Sequence, residues 1–346
     1  MSQSGKTAAA RPGMTGATRR KDRKVTPAAA PARTALTGIL LAVGGTICFS
    51  VNDMAVTLLS GGYALHQVIL IRTLIAGTVL ACVIAVSGTG LAQLRTRRWR
   101  AHLFRVCLIM VSNVTFFLGL AALPLAEGIA LSFVAPLVIT VMSVVFLGEQ
   151  VGPRRWAAVA VGLVGVLVML RPGAGVIQPA ALLILFAACL YAGGHMMTRQ
   201  MRDTESAMAL NYFVLVGFLV ICCLVGLVAG NGRFEADAPP ILAFLFRPWV
   251  WPATADLPVF LALGLSIGVG GLMIAQAYRL CEAALVAPFE YVAMPMAIFW
   301  GLLVFGQWPD RTAWFGIALI VGAGLYALWR ETVRQRTKDA GAGSGL

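Results

Sequence analysis

A chain of 346 residues that is 59% hydrophobic and only 12% charged is too apolar for a soluble globular domain. Its mean hydropathy of +0.85 points instead to an all-α integral membrane protein that crosses the bilayer repeatedly. The net charge of +13 lies mostly in the two ends and in short connections between apolar runs, which suits membrane orientation and argues against nucleic acid as a partner.

From the start, Met1 to Arg33 combine Ala, Pro, Gly and Thr with eight Lys or Arg and one Asp. Such a composition cannot bury enough apolar surface to fold, so residues 1–34 are expected to form a disordered, basic cytoplasmic tail. A signal peptide is the competing reading, but Ala35 to Leu58 is too long for one and carries Asn52 and Asp53.

About 20 apolar residues cross the hydrocarbon as a helix that satisfies its own backbone. Ten segments meet or approach that length: Ala35–Leu58, His66–Ser87, Ala101–Leu123, Leu125–Leu147, Trp156–Leu170, Ala180–Met197, Ser206–Ala229, Leu257–Leu280, Ala284–Phe305 and Thr312–Trp329. The fifth, sixth and tenth are short. Residues 331–346 read as a second cytoplasmic tail. In the Gly230 to Asp256 connection, the run FRPWVWPAT reads as an interfacial aromatic anchor.

With the N-terminus inside, 21 of the Lys and Arg residues face the cytoplasm and four (Arg171, Arg233, Arg247, Arg311) face outward. The positive-inside bias therefore puts both termini in the cytoplasm. Pro136, Phe146, Gly148 and Trp156 are answered by Pro295, Phe305, Gly306 and Trp314, at offsets of 158 or 159 residues. A near-constant offset close to half the chain predicts two copies of one unit, residues 35–173 and 174–330. Five crossings per copy is an odd number, so the second copy is expected to be inverted relative to the first. Paired inverted repeats are the usual architecture of alternating access.

The pattern ALPLAEGIALSFVAPL followed by FLGEQ, together with VAPFEY and VFGQWPD in the second half, resembles the EamA-type drug/metabolite transporter superfamily. The resemblance covers Ala35 to Trp329. It implies ten helices in two inverted five-helix repeats, with the first four helices of each repeat lining a central cavity and the fifth and tenth outside it. It matches the family's Gly-Glu with Gly148 and Glu149, which becomes Gly306 and Gln307 in the second half, and the family's second-helix arginine with Arg72. The implied activity is secondary active transport of a small organic metabolite in the cell inner membrane. CFSVNDMAV followed by HQVILIRTL leans towards importers of riboflavin or a nucleoside-like metabolite; efflux of amino acids or drugs is the alternative within transport.

Ionisable groups inside membrane helices are costly and mark function by default. Asp53 and Arg72 fall about 8 to 9 Å below the outer surface at 1.5 Å per residue, and are expected to pair, functionally or structurally. Glu290, two residues after Pro288, is expected to bind substrate or to carry a coupling proton. Asn52, Asn113, Asn211 and Gln276 are candidate substrate contacts, with helix-to-helix hydrogen bonding as the plainer use of such amides. Glu149 and Arg154 read as an inner-surface salt bridge or gate latch, and His195 as a packing histidine. Gly162, Gly165, Gly322 and Gly324 allow close helix approach, within a monomer or in a homodimer.

Seven cysteines lie in or beside apolar segments without CxxC spacing, and three histidines form no HExxH. No metal or other cofactor is expected. An intramembrane enzyme, the alternative from another class, lacks a paired-aspartate motif, and ATP-driven transport lacks a P-loop.

Overall fold

A computed structural model describes residues 32–87, 96–147, 152–170, 178–201, 204–205, 207–280 and 287–343. Helices dominate and no strand occurs among the described residues. They are α1 (Ala32–Leu59), α2 (Leu65–Ser87), α3 (Trp99–Ala121), α4 (Leu125–Ser132), α5 (Ala135–Leu147), α6 (Pro153–Leu170), α7 (Pro179–Met201), α8 (Ala207–Ala229), α9 (Ala243–Phe246), α10 (Leu257–Leu280), α11 (Ala293–Phe305) and α12 (Arg311–Gly343). Among the described residues, seven spans are long and apolar enough to cross a bilayer, and shorter apolar helices cover Trp156–Leu170, Phe289–Phe305 and Arg311–Tyr326.

The fourth segment, expected as one helix from Leu125 to Leu147, is broken into α4 and α5 at Phe133 and Val134. The cause is Pro136, which has no N–H for the Ser132 carbonyl and whose ring crowds it. The chain responds by tightening: Phe133 N–H donates to Ala130 O at 3.1 Å, and Val134 N–H to Leu131 O at 3.2 Å. The ninth segment repeats the device. A 3₁₀ stretch, Ala287–Val292, precedes α11, with Pro295 in its first turn. At its far end Gly306 takes a left-handed φ of 63°, and Gln307 N–H reaches back to Gly301 O at 2.8 Å, closing the helix as glycine caps do.

The tenth segment runs beyond the expected end at Trp329, as α12 continues to Gly343. ETVRQRTKDA is polar but composed mainly of good helix formers, so the helix continues into this polar stretch.

Small residues decide which helices lie together. α1 packs along α10, α3 along α7, and α6 along α12. A Cβ on Gly45 would come within 3.0 Å of the Gly270 carbonyl oxygen, and one on Gly119 within 2.6 Å of Ala180 O. Gly165 seats against Leu319 and Ile320 of α12, so this glycine serves packing within the chain. The main core gathers Leu65, Ile69, Phe117, Leu120, Leu125, Phe260 and Leu263 from four helices, near the end of the bundle where Tyr63 joins α1 to α2. That end is called the Tyr63 end below, and the opposite one the His102 end.

Candidate functional site

Arg72 is 5% exposed, on α2, inside this apolar core. Its guanidinium donates to Asn52 Oδ1 of α1 at 3.0 Å and to Asn113 Oδ1 of α3 at 3.1 Å. The Phe117 and Phe218 rings lie 5.6 and 6.0 Å from its Cζ, so cation–π attraction supplements the two hydrogen bonds. Asn52 Nδ2 in turn donates to Asp53 Oδ1 at 2.9 Å. The pairing expected of Asp53 and Arg72 is thus indirect, with the Asn52 amide between the two charges. An amide suits that place, because its oxygen accepts from the cation while its nitrogen donates to the carboxylate.

Asp53 lines a cavity of about 10 Å³ with Ser50, Leu125, Ile129, Ala293 and Ala297, at the lower limit for one water. Ser50 also accepts from Trp300 Nε1 at 3.2 Å, tying α1 to α11. α1, α4 and α11 therefore meet at the carboxylate.

The Tyr63 end is closed by the 230–256 connection. Tyr63 Oη donates to Asp256 Oδ2 at 2.6 Å and accepts from Ala253 N at 2.9 Å. Gln67 exchanges two bonds with the backbone of Val250, its Nε2 donating at 2.5 Å and its Oε1 accepting at 3.3 Å. Arg247 donates to the Ser60 carbonyl. Hydrogen bonding to Asp256 raises the Tyr63 hydroxyl above the usual tyrosine range. The aromatic run expected to be an interfacial anchor divides its work: Trp251 is 95% exposed, whereas Trp249 packs on Gly226 and on the His66 ring. Gln307, where the second half lacks the carboxylate, accepts from the Leu125 N–H at 3.2 Å and so caps α4.

At the His102 end, His102 Nε2 stands 3.2 Å from Glu205 Oε2, and Thr96 Oγ1 donates to Glu205 Oε1 at 2.7 Å. Arg98 donates to Thr204, and Arg105 to Thr198 and to the Leu210 carbonyl. These bonds join the start of α3 to α7, α8 and the turn between them.

Of the sequence candidates, the fold brings together Asp53, Arg72, Asn52 and Asn113. Glu290 is elsewhere, in the 3₁₀ stretch that precedes α11. Tyr191 is 48% exposed on α7, with its ring 4.3 Å from that of His195. Asn211, Gln276 and Arg154 are exposed, apart from the polar chain. Glu149 lies outside the described residues. Sequence reasoning missed Tyr63, Gln67, Asp256, His102 and Glu205, all near helix ends where polar residues are unremarked, and Glu127 in the first turn of α4. It missed Phe117 and Phe218 because Phe is ordinary in an apolar helix. Among the described residues no group of His, Cys, Asp or Glu is placed to hold a metal.

The EamA-like transporter family pattern matches residues 36–171. The riboflavin transporter of Rhizobium johnstonii is 34% identical over 248 residues, covering 71% of this chain and 76% of that protein. The S-adenosylmethionine uptake transporter of Rickettsia prowazekii is 22% identical over 306 residues, covering 88% and 97%. One solved crystal structure superposes with a TM-score of 0.57 at 20% identity, covering 82% of this chain and 95% of that one, and so shares the fold.

Proposed function

Because the chain belongs to the EamA-like transporter family, as a multi-pass membrane protein whose relatives are transporters, we propose that it imports a small metabolite by secondary active, alternating-access transport. The observation that carries this reading is the chain Asp53–Asn52–Arg72–Asn113. Charged groups are held in an apolar core by three helices, and Asp53 opens onto the seam between α4 and α11.

Helix pairing supports the inverted-repeat reading. Numbering the ten apolar segments in order, the first packs on the eighth and the third on the sixth, while the fifth packs on the tenth. Exchanging the two halves, one with six and three with eight, maps this pattern onto itself. Two interrupted segments, the fourth and ninth, meet at its centre, where transporters of this kind place substrate. With both termini in the cytoplasm of a cell whose inner membrane holds the protein, the Tyr63 end faces outward.

The substrates in the names of the relatives, riboflavin and S-adenosylmethionine, each join a flat heterocycle to a polyhydroxyl or ribose unit. A metabolite of that type is the proposed cargo. Inverted or right-side-out vesicles carrying the protein, offered a panel of riboflavin, S-adenosylmethionine, amino acids and nucleosides with and without a proton gradient, test it. Saturable uptake of riboflavin or S-adenosylmethionine is expected. Uptake restricted to amino acids, or no uptake at all, would overturn the reading.

A further inference from the structure

The α4–α11 seam continues from the Asp53 cavity to a feature that the polar chain does not use. Phe133 and Tyr291 stack with centroids 4.7 Å apart and planes 11° from parallel. They come from opposite halves and are 158 residues apart, the same offset as Gly148 to Gly306. Each sits at the interruption of its membrane segment, Phe133 where α4 gives way to α5 and Tyr291 in the 3₁₀ stretch before α11. Ile129, which lines the cavity, lies four residues before Phe133 and so on the same side of α4.

Resting on the transport reading above, we propose that Phe133 and Tyr291 are the two jaws of a slot that grips the flat heterocycle of the substrate. In this structure the jaws close on each other. A ring entering between them needs about 3.5 Å of extra separation, one aromatic thickness. That opening requires the two halves to part along the seam where both segments are already interrupted.

The jaws are unequal. Tyr291 is 8% exposed, and its hydroxyl end is seated against Gly324 of α12, where a Cβ would lie 1.9 Å away. It is the fixed jaw. Phe133 is half-buried at a helix break and is the jaw that moves. Glu290 precedes Tyr291 in the same 3₁₀ stretch, so a carboxylate stands next in the chain to the fixed jaw.

Tyr291 makes the test clean. Its buried hydroxyl has no hydrogen-bond partner among the described residues, so Tyr291→Phe removes an unsatisfied group and keeps the ring. The probe is riboflavin, bound to the purified full-length protein in lipid nanodiscs and followed by its own fluorescence. A phenol stacked on a flavin quenches its emission and a phenyl ring does not. The expected result is quenched emission in the wild type, brighter bound flavin in Tyr291→Phe at similar affinity, and binding weakened roughly five- to hundredfold in Phe133→Leu, the range for losing one stacking partner. Wild-type affinity in Phe133→Leu with unchanged emission in Tyr291→Phe would overturn the slot while leaving riboflavin transport standing. Failure of the wild type to bind or take up any of the metabolite panel would instead remove the transport reading, and the slot with it.

Discussion

Arg72 shows why the centre of this protein needs an arginine and an asparagine. A guanidinium is planar and presents several donors at fixed angles, so one head group reaches Asn52 and Asn113 on two different helices while lying near two Phe rings. A lysine amine offers neither the fork nor the flat face. Arg72→Lys is therefore expected to reach the membrane but to lose most uptake. Asn52→Leu strands the cation and the Asp53 carboxylate together. It should lower stability by about 1–3 kcal/mol, seen as an earlier thermal unfolding transition in detergent, and an unshifted transition would show that the bridge bears no energy. Tyr63 gives a prediction with a defined sign. Its folded-state value is raised, so its bond to Asp256 contributes in full below the ordinary tyrosine value of about 10 and fades as the pH climbs through the raised one. Tyr63→Phe should therefore be less stable than the wild type at neutral pH, with the difference shrinking above pH 10; a gap that grows with pH would contradict the assignment.

At the scale of elements, the interruptions at Phe133–Val134 and in Ala287–Val292 follow from Pro136 and Pro295, and they free the backbone at the meeting point of the fourth and ninth segments. Pro136→Ala restores the missing donor and lets α4 run into α5. Expression and thermal stability should hold or improve while uptake falls; full uptake by this variant would mean that the break is incidental. Apart from the end of the tenth, the predicted segment ends lie within a few residues of observed helix ends, because long apolar runs declare themselves by length alone. The break did not, since Pro136 looks the same in sequence whether a membrane helix bends around it or parts at it. The reach of α12 to Gly343 was equally hidden, because hydropathy marks where lipid ends and not where a helix does.

Across the whole molecule, the Tyr63 end is tied shut by Tyr63, Gln67 and Arg247. In the proposed orientation this is a state closed to the outside. A cysteine placed at Trp251, 95% exposed in the 230–256 connection, should react with a water-soluble maleimide applied from the outer face and be slow from the cytoplasmic face; the reverse preference would invert the assignment. Half of the candidate site was legible in the sequence. Asp53, Arg72, Asn52 and Asn113 stood out because polar groups are rare in apolar helices, and the fold joins them. Asn211 and Gln276 stood out for the same reason and lie on exposed faces, since the type of a residue says nothing about which side of its helix is covered. The latch of the 230–256 connection onto the α1–α2 turn joins residues 183 to 193 apart in sequence, a distance across which no local pattern reports.

The central claim is that a buried polar chain serves transport of a flat-ringed metabolite. Its most direct test is the uptake of labelled riboflavin into vesicles containing equal amounts of the wild type or of Arg72→Gln. The account predicts saturable uptake by the wild type, displaced by unlabelled riboflavin, and at least a tenfold loss in Arg72→Gln; equal uptake by the two proteins, or none by the wild type, would contradict it.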